Sequence, residues 1–164
     1  STTAQLVIGD ALAICLLNLK DFSSKDFAKY HPGGTLGKRL YLRVDEIVAH
    51  NEAPKVNRNT SVKDVIVEIS KKRLGTTAVV ENERIIGIIT DGDLRRMLEK
   101  NTDISDLTAG DIMSADPIQV NSDTMAVIAL DIMQKNNITQ ILVSENDKYI
   151  GVVHFHDLLK EGII

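Results

Sequence analysis

The sequence is short of several things, and each shortage narrows the field. Of 164 residues one is cysteine, none is tryptophan, 4% are aromatic and three are proline. A lone Cys15 cannot form an internal disulfide, so a disulfide-stapled secreted fold is excluded and a reducing cytosol is favoured. Cys15 lies in an apolar run, where burial is its expected role. Neither sign of charge dominates. The net charge is −4, with lysine and arginine scattered among the acids, so no basic stripe marks a nucleic-acid surface. The longest apolar run, Ala4 to Leu19, is interrupted by Gly9 and Asp10 and is shorter than the ~20 residues of a bilayer span. No basic segment with a cleavage pattern opens the chain, so no signal peptide is read.

What is present is an ordinary globular composition, 43% hydrophobic and 26% charged. The chain opens on Ser1-Thr2-Thr3 and enters a helix, about Thr3 to Leu19, that is apolar on nearly every side. Such a helix belongs inside something larger, so residues 1–43 are read as the closing helices of an upstream domain. A second helix is expected over Ser24 to Tyr30.

From residue 44 onward the sequence repeats itself. Ser61 to Ile69 aligns with Thr124 to Ile132 at an offset of 63, which sets Val62, Val65, Ile66 and Ile69 against Met125, Ile128, Ala129 and Ile132. Both sets follow the i, i+3, i+4, i+7 face of a helix. Thr76 to Val80 matches Thr139 to Val143 as a first strand at the same offset. A polar turn follows, read as one residue longer in the second copy, and then Ile85 to Ile89 matches Tyr149 to Val153. Short strands at Lys55-Val56-Asn57 and Pro117 to Val120 precede the helices, with lead-ins at Asp45 to Val48 and Gly110 to Met113. Each copy has a marginal core alone. The expectation is therefore an α+β body in which two βαββα copies, 44–107 and 108–164, pack sheet on sheet about a pseudo-two-fold axis.

The residues with chemistry cluster where the last strand of each copy meets its closing helix. Copy one reads Gly87-Ile88-Ile89-Thr90-Asp91-Gly92-Asp93, and copy two reads Gly151-Val152-Val153-His154-Phe155-His156-Asp157. A strand glycine permits close approach by another chain or a flat ligand. The Thr90 hydroxyl and nearby N–H groups can receive an anion, and Asp93 can accept two hydrogen bonds from a ribose diol. Equally, Thr90 and Asp91 can cap the helix while Asp93 favours its first turn.

The repeat, and above all Gly87 to Asp93, resembles the CBS domain, whose hallmark is glycine, two apolar residues, Ser or Thr, two variable residues and Asp. The resemblance implies a paired disk with two clefts that bind adenosyl or other nucleotides. It places nucleotide-binding roles on Thr90, Asp91 and Asp93 and, in copy two, on His154 and Asp157. His154 stands where the family has Ser or Thr, which sets the second cleft apart; a structural role for His154 and His156 stays open beside a binding one. No metal site is expected from two histidines at i, i+2.

The front of the chain carries His31-Pro32-Gly33-Gly34-Thr35-Leu36-Gly37-Lys38-Arg39. On pattern alone it reads as a turn with a basic end or as a loop that holds a phosphorylated substrate. Together with Ser1 to Gln5 and Gly9 to Ala13, it resembles the end of the sugar isomerase (SIS) domain of arabinose 5-phosphate isomerases, just before their CBS pair. That resemblance implies interconversion of ribulose 5-phosphate and arabinose 5-phosphate for Kdo and for lipopolysaccharide or capsule. His31 matches the family's active-site histidine. The family's other catalytic residues lie upstream, so residues 1–164 alone are expected to be inactive. No cofactor is required; the expected effector is AMP or ATP, or CMP or CMP-Kdo on pathway logic. A homo-oligomer in the cytoplasm, without nucleic acid or membrane partners, completes the expectation. A related isomerase of hexitol metabolism and a purely dimerising CBS pair are the alternatives.

Overall fold

The computed structural model describes residues 1–30, 34–100 and 103–163. It divides into two compact units, residues 1–41 and 42–164.

The first unit is helical. Helix α1 (Thr2–Leu19) carries apolar side chains on every face, and all are exposed, from Leu17 at 43% to Leu19 at 81%. Cys15 is exposed with them, which corrects its expected burial: α1 has no buried residue. At 18 residues, α1 is long and apolar enough by length and composition to cross a membrane, although the run read from the sequence fell short of that. Helix α2 (Ser24–Tyr30) packs on α3 (Thr35–Tyr41). Ser23 and Asp26 cap α2 reciprocally: the Ser23 hydroxyl and N–H donate to the Asp26 carboxylate, and Asp26 N–H donates back to Ser23 Oγ.

The second unit holds the duplicated body. In chain order it runs α4 (Val44–Val48), β1 (Lys55–Asn57), α5 (Val62–Lys72), β2 (Thr76–Glu81), β3 (Arg84–Thr90) and α6 (Asp91–Lys100). The second copy follows as α7 (Ala109–Ile112), β4 (Ser114–Ala115), β5 (Gln119–Asn121), α8 (Ala126–Asn136), β6 (Gln140–Glu145), β7 (Lys148–His154) and α9 (Phe155–Lys160). In each copy a parallel pair (β1 with β2, β5 with β6) is joined through a helix, and an antiparallel hairpin completes the sheet. The sheet orders are β1-β2-β3-β4 and β5-β6-β7. Ala78 and Val80 of one sheet meet Leu142 and Val152 of the other in a shared core. The outer face of the first sheet packs on α5 through Val65, Ile69, Val79 and Ile89.

The two copies exchange their lead-in helices. Val44, Ile47 and Val48 of α4 are buried not in copy one but against β6, β7, α8 and α9 of copy two. Ala109 of α7 is buried in the core of copy one. The backbone records the exchange symmetrically. Ala126 N–H donates to Leu42 O and Val62 N–H to Leu107 O, each at the start of the other copy's helix. Val44 N–H donates to Thr124 O, and Ala109 N–H to Thr60 O. Each buried Val or Ile contributes about 1.5–3 kcal/mol by transfer from water, so α4 is a substantial part of copy two's core.

Two readings of the repeat need correction. The structural offset is 64 through the helix and first strand, not 63: α5 starts at Val62 and α8 at Ala126, and β2 starts at Thr76 and β6 at Gln140. The buried counterparts of Val62, Val65 and Ile69 are accordingly Ala126, Ala129 and Met133, whereas Ile128 is 43% exposed. The second hairpin has no extra residue. Both turns are two-residue loops, Asn82-Glu83 and Asn146-Asp147, with positive φ at both positions as a type I′ turn requires.

Candidate functional site

Copy one ends β3 at Thr90 and starts α6 at Asp91, so the strand delivers Thr90 to the helix N-terminus. There Thr90 and Asp93 bond to each other. The Thr90 hydroxyl donates to Asp93 Oδ2 at 2.6 Å, Thr90 N–H donates to the same oxygen at 2.8 Å, and Asp93 N–H donates back to Thr90 Oγ1 at 3.3 Å. Asp93 Oδ1 accepts from the Arg96 guanidinium at 2.6 Å and from the Ser114 hydroxyl at 3.2 Å. Burial penalises the Asp93 charge. The Thr90 bonds and Arg96 outweigh that penalty and hold the carboxyl below its usual range.

A cleft of about 400 Å³ opens beside this cap, between the copies. Copy one supplies Gly75, Ile88, Thr90, Asp91 and Gly92, and copy two supplies Pro117, Ile118, Asn137, Ile138, Thr139 and Gln140. The size and the mix of apolar walls with a few polar groups suit a small ligand. Gln140 reaches across, its amide donating to Leu74 O at 3.3 Å. Thr90 and Asp91 thus line the cleft, and Asp93 stands behind Thr90, where it borders a separate recess with Arg96, Met97 and Lys100. A further recess of about 460 Å³ beside Lys55, Glu83 and Tyr149 contains none of the motif residues.

The equivalent junction of copy two is built differently. His154 caps α9: its Nδ1 accepts from His156 N–H at 3.0 Å, and its own N–H donates to Asp157 Oδ2 at 3.0 Å. An accepting Nδ1 places the proton of the neutral ring on Nε2. The two imidazoles stack with centroids 5.0 Å apart. Burial, together with the neighbouring His156 and Lys160, outweighs Asp157 and holds His154 below the usual histidine value. Asp157 Oδ2 also accepts from the Asn51 amide at 2.8 Å, while Lys160 stands 3.8 Å from Oδ1. The motif glycines serve the exchanged helices. A Cβ at Gly87 would lie 2.5 Å from Met113 Sδ, and one at Gly151 would lie 2.5 Å from Val48 Cγ1. The close approach read from these glycines is therefore made by the chain itself.

His31 lies outside the described residues. Among the described residues, no group of three or more His, Cys, Asp or Glu is placed to hold a metal ion. Sequence reading did not single out Asn51, Ser114, Arg96 or Gln140. Nothing in a single sequence distinguishes a loop asparagine that touches a helix cap 106 residues away from any other polar loop residue.

The CBS domain model matches residues 44–100 and 109–163. The chain belongs to the CBS-domain family. Over all of its length it is 45% identical to the arabinose 5-phosphate isomerase KdsD of Salmonella typhi, and it covers 51% of that protein. The chain thus spans about half the length of the curated relatives it matches. Among solved structures it resembles the CBS domain protein PAE2072 from Pyrobaculum aerophilum complexed with AMP, with TM-score 0.64 and 22% identity over 71% of this chain and 90% of that one. It also resembles the CBS domain pair of protein MJ0100 in complex with 5′-methylthioadenosine and S-adenosyl-L-methionine, with TM-score 0.65 and 21% identity over 73% of this chain and 94% of that one. At these identities the structures establish the fold.

Proposed function

We propose that the CBS pair is the nucleotide-sensing part of an arabinose 5-phosphate isomerase. The observation that carries this reading is the 45% identity to KdsD over the whole chain, including residues 1–41, which precede the CBS repeats. On this reading residues 1–43 close a sugar isomerase domain, with α1 covered there, and His31 takes part in the proton transfer between neighbouring carbons of the sugar phosphate. Such a step needs an acid/base group with a pKa near the working pH. The 164 residues alone are inactive, and the intact enzyme is a cytoplasmic homo-oligomer that serves Kdo synthesis.

The inter-copy cleft supports the sensing role, with Thr90 and Asp91 on its wall and Ile88, Ile118 and Ile138 offering apolar surface for a base. The solved relatives bound to AMP and to S-adenosyl-L-methionine support an adenosyl ligand; CMP and CMP-Kdo are the end-product candidates. A thermal-shift screen of this chain against AMP, ATP, S-adenosylmethionine, CMP and CMP-Kdo tests the reading. A ligand at 100 times its Kd adds about 2.7 kcal/mol, which raises Tm by roughly 5–10 °C at this size.

One observation favours a second reading, a scaffold that dimerises the enzyme and binds nothing. Thr90 and Asp93 already satisfy each other and Arg96 as a helix cap. A screen without any shift at saturating ligand would favour that reading.

A further inference from the structure

Asp157 and Asp93 hold matching positions, but they are tied to different parts of the chain. Asp157 Oδ2 accepts from the Asn51 side-chain amide at 2.8 Å, and the same amide reaches Val152 O at 3.2 Å. Asn51 N–H in turn donates to Val48 O, which fastens the loop to the end of α4. Helix α4 is docked on copy two, and only Leu42 and Arg43 separate it from α3. The chain therefore leads from the cap of α9, through one asparagine and one short helix, to the N-terminal unit. On copy one the corresponding side chain is Ser114, bonded to Asp93 at 3.2 Å. Ser114 lies between α7 and β5, so its chain connections on both sides stay within the CBS pair. The stronger partner of Asp93, Arg96, is on α6 itself.

We infer that Asn51 is a positioning residue that links the state of the α9 cap, at Asp157, to residues 35–51, and that among the described residues the α6 cap, at Asp93, has no equivalent link. The inference rests on the sensing reading for its purpose. A ligand diol that bonds Asp157 through Oδ2 competes with the Asn51 amide for that oxygen, which loosens the loop that holds α4. A diol at Asp93 displaces Ser114, which sits on β4 and whose chain connections begin and end inside the pair. The helix exchange thus makes two similar helix caps unequal in what they report.

Hydrogen–deuterium exchange of this chain tests the link without requiring a ligand. Asn51→Ala and Asp157→Ala should each raise amide exchange across residues 35–51 about three- to tenfold, the factor for losing one hydrogen bond in a local opening. At residues 35–51 the double variant should be no faster than the faster single one, since the Asn51–Asp157 bond is lost in either. Asn51→Asp, which loses the donor and sets a second carboxylate against Asp157, should raise exchange at least as much as Asn51→Ala. Asp93→Ala and Ser114→Ala should leave residues 35–51 unchanged. Unchanged exchange at 35–51 in Asn51→Ala, or an equal rise in Asp93→Ala, would overturn the inference. Calorimetric titration of the wild type with AMP and CMP separates the two failures. Absence of binding with the exchange pattern intact removes the sensing reading alone; binding without the pattern removes the link alone.

Discussion

The Thr90 hydroxyl and the Asp93 carboxylate lie 2.6 Å apart, each the other's partner in the cap of α6. A carboxylate bound this way should make the fold sensitive to acid. The folded-state pKa of Asp93 lies below its unfolded value, so its stabilisation is complete above about pH 4 and is lost as pH falls from there through the folded value. Urea unfolding followed from pH 6 to pH 3 should show this loss, with a shallower slope in Asp93→Asn.

His154 should act in the same direction but at higher pH. Its folded-state pKa is lowered, so the unfolded chain takes up the proton first. Stability is complete above the unfolded value near 6.5 and declines as pH falls from 6.5 to the lowered folded value. His154→Gln should remove this dependence between about pH 7 and pH 5, measured as Tm against pH.

The motif glycines should differ in their tolerance of a methyl group. Gly151→Ala drives a Cβ onto Val48 Cγ1, a β-branched side chain with one favoured helical rotamer. Gly87→Ala meets the end of Met113, which can swing aside. We expect a loss of about 1–3 kcal/mol for Gly151→Ala and a smaller one for Gly87→Ala, read from urea midpoints.

The exchanged helix should matter to the copy it covers rather than to the copy it precedes. Ile47→Ala should cost about 2–5 kcal/mol. Amide protection should fall first in β6 and β7 and be retained in β2 and β3, as hydrogen exchange would show.

The duplication, the hairpins and the helix–strand order could be read from the sequence because apolar periodicity and turn residues are local signals. Offsets of 63 and 64 fit the helical pattern alike for a physical reason. Between Met125 and Met133 every residue but Asp131 is apolar, so the buried face of α8 is not marked, whereas Lys63, Asp64 and Glu68 mark that of α5. The exchange of α4 and α7 left no trace, because Val44, Ile47 and Val48 would suit either sheet equally well. Thr90, Asp93, His154 and Asp157, which make up the two strand–helix junctions, are legible through the repeat. Asn51, Ser114 and Gln140 act through contacts across the copies, and no spacing rule connects them to the motif.

The most direct test of the sensing account is isothermal titration of this chain with AMP, S-adenosylmethionine, CMP and CMP-Kdo, repeated on Thr90→Val and His154→Ala. The account predicts saturable binding of at least one of these nucleotides, weakened about tenfold or more, or abolished, by one of the two substitutions, which would also assign the ligand to a cleft. No heat from any of them at millimolar concentration, or binding indifferent to both substitutions, would contradict it.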